Sequence, residues 1–123
     1  MVMSMCLSLI GRQLAKIKKI PLYIRKLNLC WNQISRIENI PASVKELNLA
    51  NNCITKIENI PSSVTKLDLC HNRITKIENI PASVEYLYKI VSRMENIPFG
   101  VMDLDLSRTQ ITKIENIPAS VQI

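Results

Sequence analysis

A chain of 123 residues has room for one domain, and its 47% hydrophobic share excludes a disordered tail. Aromatic residues make up only 4%, with a single Phe99 and a single Trp31, so a core must come from Ile, Leu and Val. The net charge of +6 is uneven: residues 1–37 carry Arg12, Lys16, Lys18, Lys19, Arg25, Lys26 and Arg36 with no acid, enough to steer toward nucleic acid, an acidic protein or an anionic membrane surface.

The opening MVMSMCLSLIG is apolar, has no basic residues before it and is too short to span a bilayer, so it reads as a repeat and not a signal peptide. No long apolar run follows, and the expected setting is intracellular, in the cytoplasm. Cys6, Cys30, Cys53 and Cys70 make no C-x-x-C pair, and His71 has no second histidine beside it. Free thiols in a reducing compartment are expected, with no metal and no cofactor.

Pro21, Pro41, Pro61 and Pro81 recur every 20 residues, Pro98 comes early, and Pro118 resumes the interval. Aligned on them, the chain repeats Ile/Val-x-x-Leu-x-Leu-x-x-Asn-x-Ile-x-x-Ile-x-x-Ile-Pro from Ile24 to Pro41, Val44 to Pro61 and Val64 to Pro81. The first segment fits with Leu7, Leu9, Leu14, Ile17 and Ile20 in register and Arg12 at the Asn position. Alternation in Leu27/Leu29, Leu47/Leu49 and Leu67/Leu69 predicts short strands with Leu inward, stacked into a parallel sheet. Ile54, Ile57 and Ile60 fill the layer from the opposite wall. Twenty residues leave little room for a helix, and the prolines predict an extended or polyproline-like return.

Asn32, Asn52 and Asn72 stand where the chain leaves the strand, and a side-chain amide there satisfies backbone groups of its own and adjacent turns. Without it, each buried unpaired group would cost about 1–3 kcal/mol. Two departures follow. Repeat 81–97 is three residues short and loses its Leu-x-x-Asn segment, and Thr109 occupies the next Asn position, so the ladder is expected to break there.

The stretch IPASVKELNLANNCITKIENIPSSV resembles the short leucine-rich repeats of bacterial secreted effectors. NQISRIENI and NRITKIENI are similar to repeats of phosphatase-regulating leucine-rich-repeat subunits, and IPxSV resembles FNIP-type repeats. The resemblance covers nearly the whole chain and implies an α/β-class leucine-rich-repeat solenoid, β-dominated, with its parallel sheet on the concave side. The expected organisation is a single domain over residues 1–123, with about six strand-bearing repeats and no evident caps. No effector-type ligase domain or catalytic cysteine is expected after PASVQI. These families share a scaffold and not a partner, so function has to be read from individual residues.

Positions that vary between equivalent repeats are open to a partner. In the middle row of the sheet these are Asn28, Asn48, Asp68, Tyr88 and Asp105, flanked by Lys26, Glu46, Lys66, Tyr86 and Asp103. Trp31, Asn51, His71 and Arg108 come just past the strands. Trp, Tyr and Arg are frequent interface anchors, which singles out Trp31, Tyr86, Tyr88 and Arg108. The opposite wall carries basic and acidic rows, Arg36/Lys56/Lys76/Arg93/Lys113 and Glu38/Glu58/Glu78/Glu95/Glu115, that offset one another as a solubility surface. Catalysis finds no support: Cys70 adjoins His71, but neighbours on a strand point to opposite faces.

The leading expectation is a non-enzymatic scaffold for an unidentified protein. One alternative is nucleic-acid or acidic-surface binding through residues 1–37, weakened because aromatics are not interleaved with the basic residues. Another is a structural fragment or remnant of a longer array, with self-association through the N-terminal edge.

Overall fold

Six three-residue strands form, five on Leu-x-Leu pairs and β5 on Leu87 alone: β1 (Cys6–Ser8), β2 (Lys26–Asn28), β3 (Glu46–Asn48), β4 (Lys66–Asp68), β5 (Tyr86–Tyr88) and β6 (Asp103–Asp105). The computed structural model describes residues 5–74, 78–88 and 103–105, the last three and 86–88 by backbone alone. The strands make one parallel sheet in sequence order. Register puts leucine on leucine throughout, from Leu7 to Leu27, Leu47, Leu67, Leu87 and Leu104. The short repeat leaves this register intact: Leu104 pairs with Leu87 although the step is 17 residues instead of 20. The segments that accommodate the deletion, and the Thr109 turn, lie outside the described residues.

Burial follows the same period. Leu27, Leu47 and Leu67 enter from the sheet, Leu29, Leu49 and Leu69 from the turn after it, and Ile34, Ile37, Ile54 and Ile57 from the return wall, all essentially inaccessible. Burying each such side chain contributes about 1.5–3 kcal/mol. Neither helix nor strand occurs in the return wall among the described residues, and the wall is tied to its neighbour by backbone bonds from Gln33 to Leu14, Cys53 to Ile34 and Arg73 to Ile54, each 2.8 Å. The prolines do a second job beyond stiffening the return. Their carbonyls accept from the amide three residues on, at 3.1–3.3 Å from Pro21 to Pro81, and so open the turn that leads into each strand.

The expected asparagine ladder is present. Asn32 Nδ2 donates to the carbonyls of Leu9 (2.9 Å), Leu29 (3.0 Å) and Cys30 (3.2 Å), and its Oδ1 accepts from the Arg12 and Leu14 amides. Asn52 and Asn72 repeat the pattern one and two layers on. A second ladder was not anticipated. Asn39, Asn59 and Asn79, at the other end of the return wall, donate to the carbonyls of Ile17, Ile37 and Ile57 in the preceding layer at 2.8, 3.1 and 3.3 Å. All three sit at φ of 57–58°, in the left-handed region that Asn tolerates better than most residues. Ser43 and Ser63 hydroxyls add a third row, bonding the Ile24 and Val44 carbonyls at 2.6 and 2.7 Å.

Candidate functional site

The sheet's outer face is a shallow groove of about 430 Å³ that runs across the first four strands. Inward-facing leucines consume one side of each strand, which leaves the alternate positions to line it. Backbone register assembles both rows read from the sequence: Asn28, Asn48, Asp68, Tyr88 and Asp105 stand side by side, and so do Lys26, Glu46, Lys66, Tyr86 and Asp103. The side chains of Tyr86, Tyr88 and Asp105, and Arg108 altogether, lie outside the described residues.

The middle row is less free than its variation suggests. The Oδ1 atoms of Asn28, Asn48 and Asp68 each accept the amide two residues on, from Cys30, Ala50 and Cys70, all at 3.0 Å. That bond starts the turn off β2, β3 and β4, so in these three repeats the Asx oxygen is used by the fold. What varies between Asn and Asp is the second terminal atom, and with it the charge offered to the groove.

In the flanking row Glu46 sits between two lysines on neighbouring strands, with Lys26 Nζ at 3.2 Å and Lys66 Nζ at 3.3 Å. Partial burial pushes the Glu46 carboxyl up, but the bonds from the two ammonium groups outweigh it and the net shift is downward. The bond to Glu46, reinforced by its charge, raises Lys26. On the opposite wall Arg36 Nε meets Glu58 at 3.4 Å, an exposed pair between layers of the kind that the two charged rows imply.

Past the strands, Gly11, Trp31, Asn51 and His71 occupy equivalent places, and all four have positive φ, between 55° and 64°. Glycine and asparagine suit that conformation; tryptophan does not. Trp31 nevertheless stands there with 64% of its surface exposed. His71 is exposed as well, and Asn51 is half-buried. Spacing places Trp31, Asn51 and His71 just past the strands but gives no sign of the left-handed backbone; the glycine at position 11 is the available signal.

All four cysteines are free thiols, and burial pushes the Cys30 thiol up. Among the described residues no group of three His, Cys, Asp or Glu side chains is placed to hold a metal ion. No helix among them is long and apolar enough to cross a membrane.

Comparison with known proteins agrees with this architecture. A family model described as FNIP Repeat matches residues 31–71, and one described as Leucine Rich Repeat matches residues 63–87. No curated protein matches the chain in sequence. Among solved structures, YopM from Yersinia enterocolitica WA-314 superposes with a TM-score of 0.73 at 18% identity, over 87% of this chain and 25% of that one. The chain thus spans about a quarter of the length of that bacterial protein, and the likeness is one of fold. A 20-residue period, leucines in register and an asparagine ladder give the chain the fold of a β-dominated leucine-rich-repeat solenoid, with FNIP and leucine-rich repeats matched between residues 31 and 87.

Proposed function

We propose that the chain is a non-enzymatic scaffold that holds a protein partner across the outer face of its sheet, with Trp31, Tyr86 and Tyr88 as anchors. Asn28, Asn48, Asp68 and Asp105 supply polar contacts in the middle row, and His71 and Arg108 extend the rim. The observation that carries this reading is Trp31. A large aromatic side chain is kept exposed on a left-handed backbone that equivalent repeats give to glycine, asparagine and histidine. Such a conformation costs about 1–2 kcal/mol in an ordinary residue, and strain of this kind is retained at contact sites. Tryptophan and tyrosine bring large contact area to an interface at small entropic cost.

The same reading takes residues 1–123 as one domain of about six strand-bearing repeats, working in the reducing environment of the cytoplasm with neither metal nor cofactor. Affinity capture from the native cell with the intact chain and with the Trp31→Ala/Tyr86→Ala/Tyr88→Ala variant tests it. Loss of the captured partner with an unchanged far-ultraviolet dichroism spectrum is expected. Undiminished capture by the triple variant would remove the sheet face from consideration.

A further inference from the structure

The first turn into the sheet differs from its counterparts in one consistent sense. Where the later repeats place Ala42-Ser43, Ser62-Ser63 and Ala82-Ser83 after proline, the first places Leu22-Tyr23. Where they carry Glu38-Asn39, Glu58-Asn59 and Glu78-Asn79 before Ile-Pro, it carries Lys18-Lys19. All these substitutions fall on the side of the solenoid where the return wall passes into the N-terminal ends of the strands. Leu22 is 75% exposed and Tyr23 63% exposed, while Ile20 and Ile24 on either side are buried and hold the turn to the core. Lys18, Lys19 and Arg25 around them are exposed too.

We infer that this corner docks the chain on an anionic lipid bilayer. An aliphatic and an aromatic side chain projecting together from a rigid turn can enter the headgroup region, where tyrosine's apolar ring and polar hydroxyl are both satisfied. Lysine and arginine beside them meet the phosphate layer with their charges and lay their stems along the apolar boundary. Neither half suffices alone: two apolar side chains give weak partition, and cations alone give attraction that salt removes. A nucleic acid would use the cations but has no use for an exposed leucine at the turn, which is why the bilayer is preferred. The surface lies at the opposite ends of the strands from Trp31, so a protein on the sheet's rim and a membrane at this corner do not compete.

The test is co-sedimentation of the full chain with phosphatidylcholine vesicles, with and without about one third phosphatidylserine. Two variants use residues that the later repeats already carry at these positions, Leu22→Ala/Tyr23→Ser and Lys18→Glu/Lys19→Asn. Binding to the anionic vesicles only, weakened by salt and reduced about tenfold or more by either variant, is the expected result. In a Trp31→Phe background, Tyr23→Trp emission should move to the blue on adding anionic vesicles. Absence of binding to phosphatidylserine vesicles overturns the inference. So does binding that is unaffected by Leu22→Ala/Tyr23→Ser, which would leave only a charge effect, and so does single-stranded DNA displacing the chain while depending on the same two side chains.

Discussion

Asn52 reaches back one layer to the carbonyl of Leu29, donating at 2.9 Å, while it also bonds the Leu49 and Ala50 carbonyls of its own turn. Its Oδ1 takes the Ile34 amide at 3.0 Å, so one buried side chain closes polar groups in two repeats. Asn52→Ala strands several of them at once and should destabilise the fold by about 1–3 kcal/mol or more. The neighbouring Asn51 provides the control: its place is set by a φ of 58°, so Asn51→Gly should be near neutral. Denaturant midpoints at unchanged slope are the measurement, and equal effects at the two positions would contradict the ladder.

Trp31 gives a prediction of opposite sign. Trp31→Asn installs the residue that Asn51 shows to be at ease in the left-handed backbone, and should stabilise the isolated chain by about 0.5–1 kcal/mol. The same change should abolish partner capture. A less stable variant that still captures would mean that Trp31 serves packing instead.

The Lys26–Glu46–Lys66 cluster makes stability depend on pH in a defined direction. Glu46 has a folded-state pKa below its unfolded value, so its contribution is present above the unfolded value and fades as pH falls through the folded one. Glu46→Gln should therefore lower stability near neutrality and lose its effect once the pH is low enough to protonate Glu46 in the folded chain. Solvent screens this largely exposed cluster, so the effect is best resolved by comparing denaturant midpoints across that window.

Thiol reactivity should rank by burial. Cys6 is exposed on β1, whereas Cys30 is buried with its pKa raised, so timed alkylation followed by mass spectrometry should label Cys6 first and Cys30 last. A reductant should leave the melting temperature unchanged, because all four sulfurs are free.

At the sheet's first edge, β1 pairs with β2 alone among the described residues, Leu7 and Leu9 are only partly buried, and Ile10 is 46% exposed. That is a template for association with a second copy. Light scattering should show assembly at micromolar concentration that Ser8→Lys/Ile10→Lys suppresses; a monodisperse monomer, or assembly indifferent to the lysines, would count against it.

Much of this architecture is legible from spacing alone. Strand positions, the inward leucines and the Asn32/Asn52/Asn72 ladder all follow from a fixed period, because equivalent residues must occupy equivalent places in a stack. The second ladder was missed for a physical reason. Asn39 and Asn59 are exposed, and hydrophobic periodicity carries no trace of a surface side chain that bonds a carbonyl of the preceding layer. Their recurrence before Ile-Pro was the visible clue. The oxygens of Asn28, Asn48 and Asp68 are hidden differently: the row varies in residue type, and that variation conceals an acceptor atom common to these three residues. The contacts of Tyr86, Tyr88 and Arg108 lie outside the described residues.

Unbroken register between layers makes the repeat interchangeable. Leu27, Leu47 and Leu67 meet in the same alignment, and Asn52 and Asn72 make the same bonds to the layer before. If residues 41–60 were excised, Leu67 would arrive opposite Leu27 and Asn72 would find the Leu29 carbonyl where it now finds that of Leu49. Gain or loss of one whole unit conserves the leucine register and the asparagine bonds across the new junction, even where, as here, Lys66 would replace Glu46 beside Lys26, whereas loss of a single residue there would turn leucines outward. Such a gene can change the length of its groove in whole steps, by unequal recombination between copies of the repeat, without passing through an unfolded intermediate sequence.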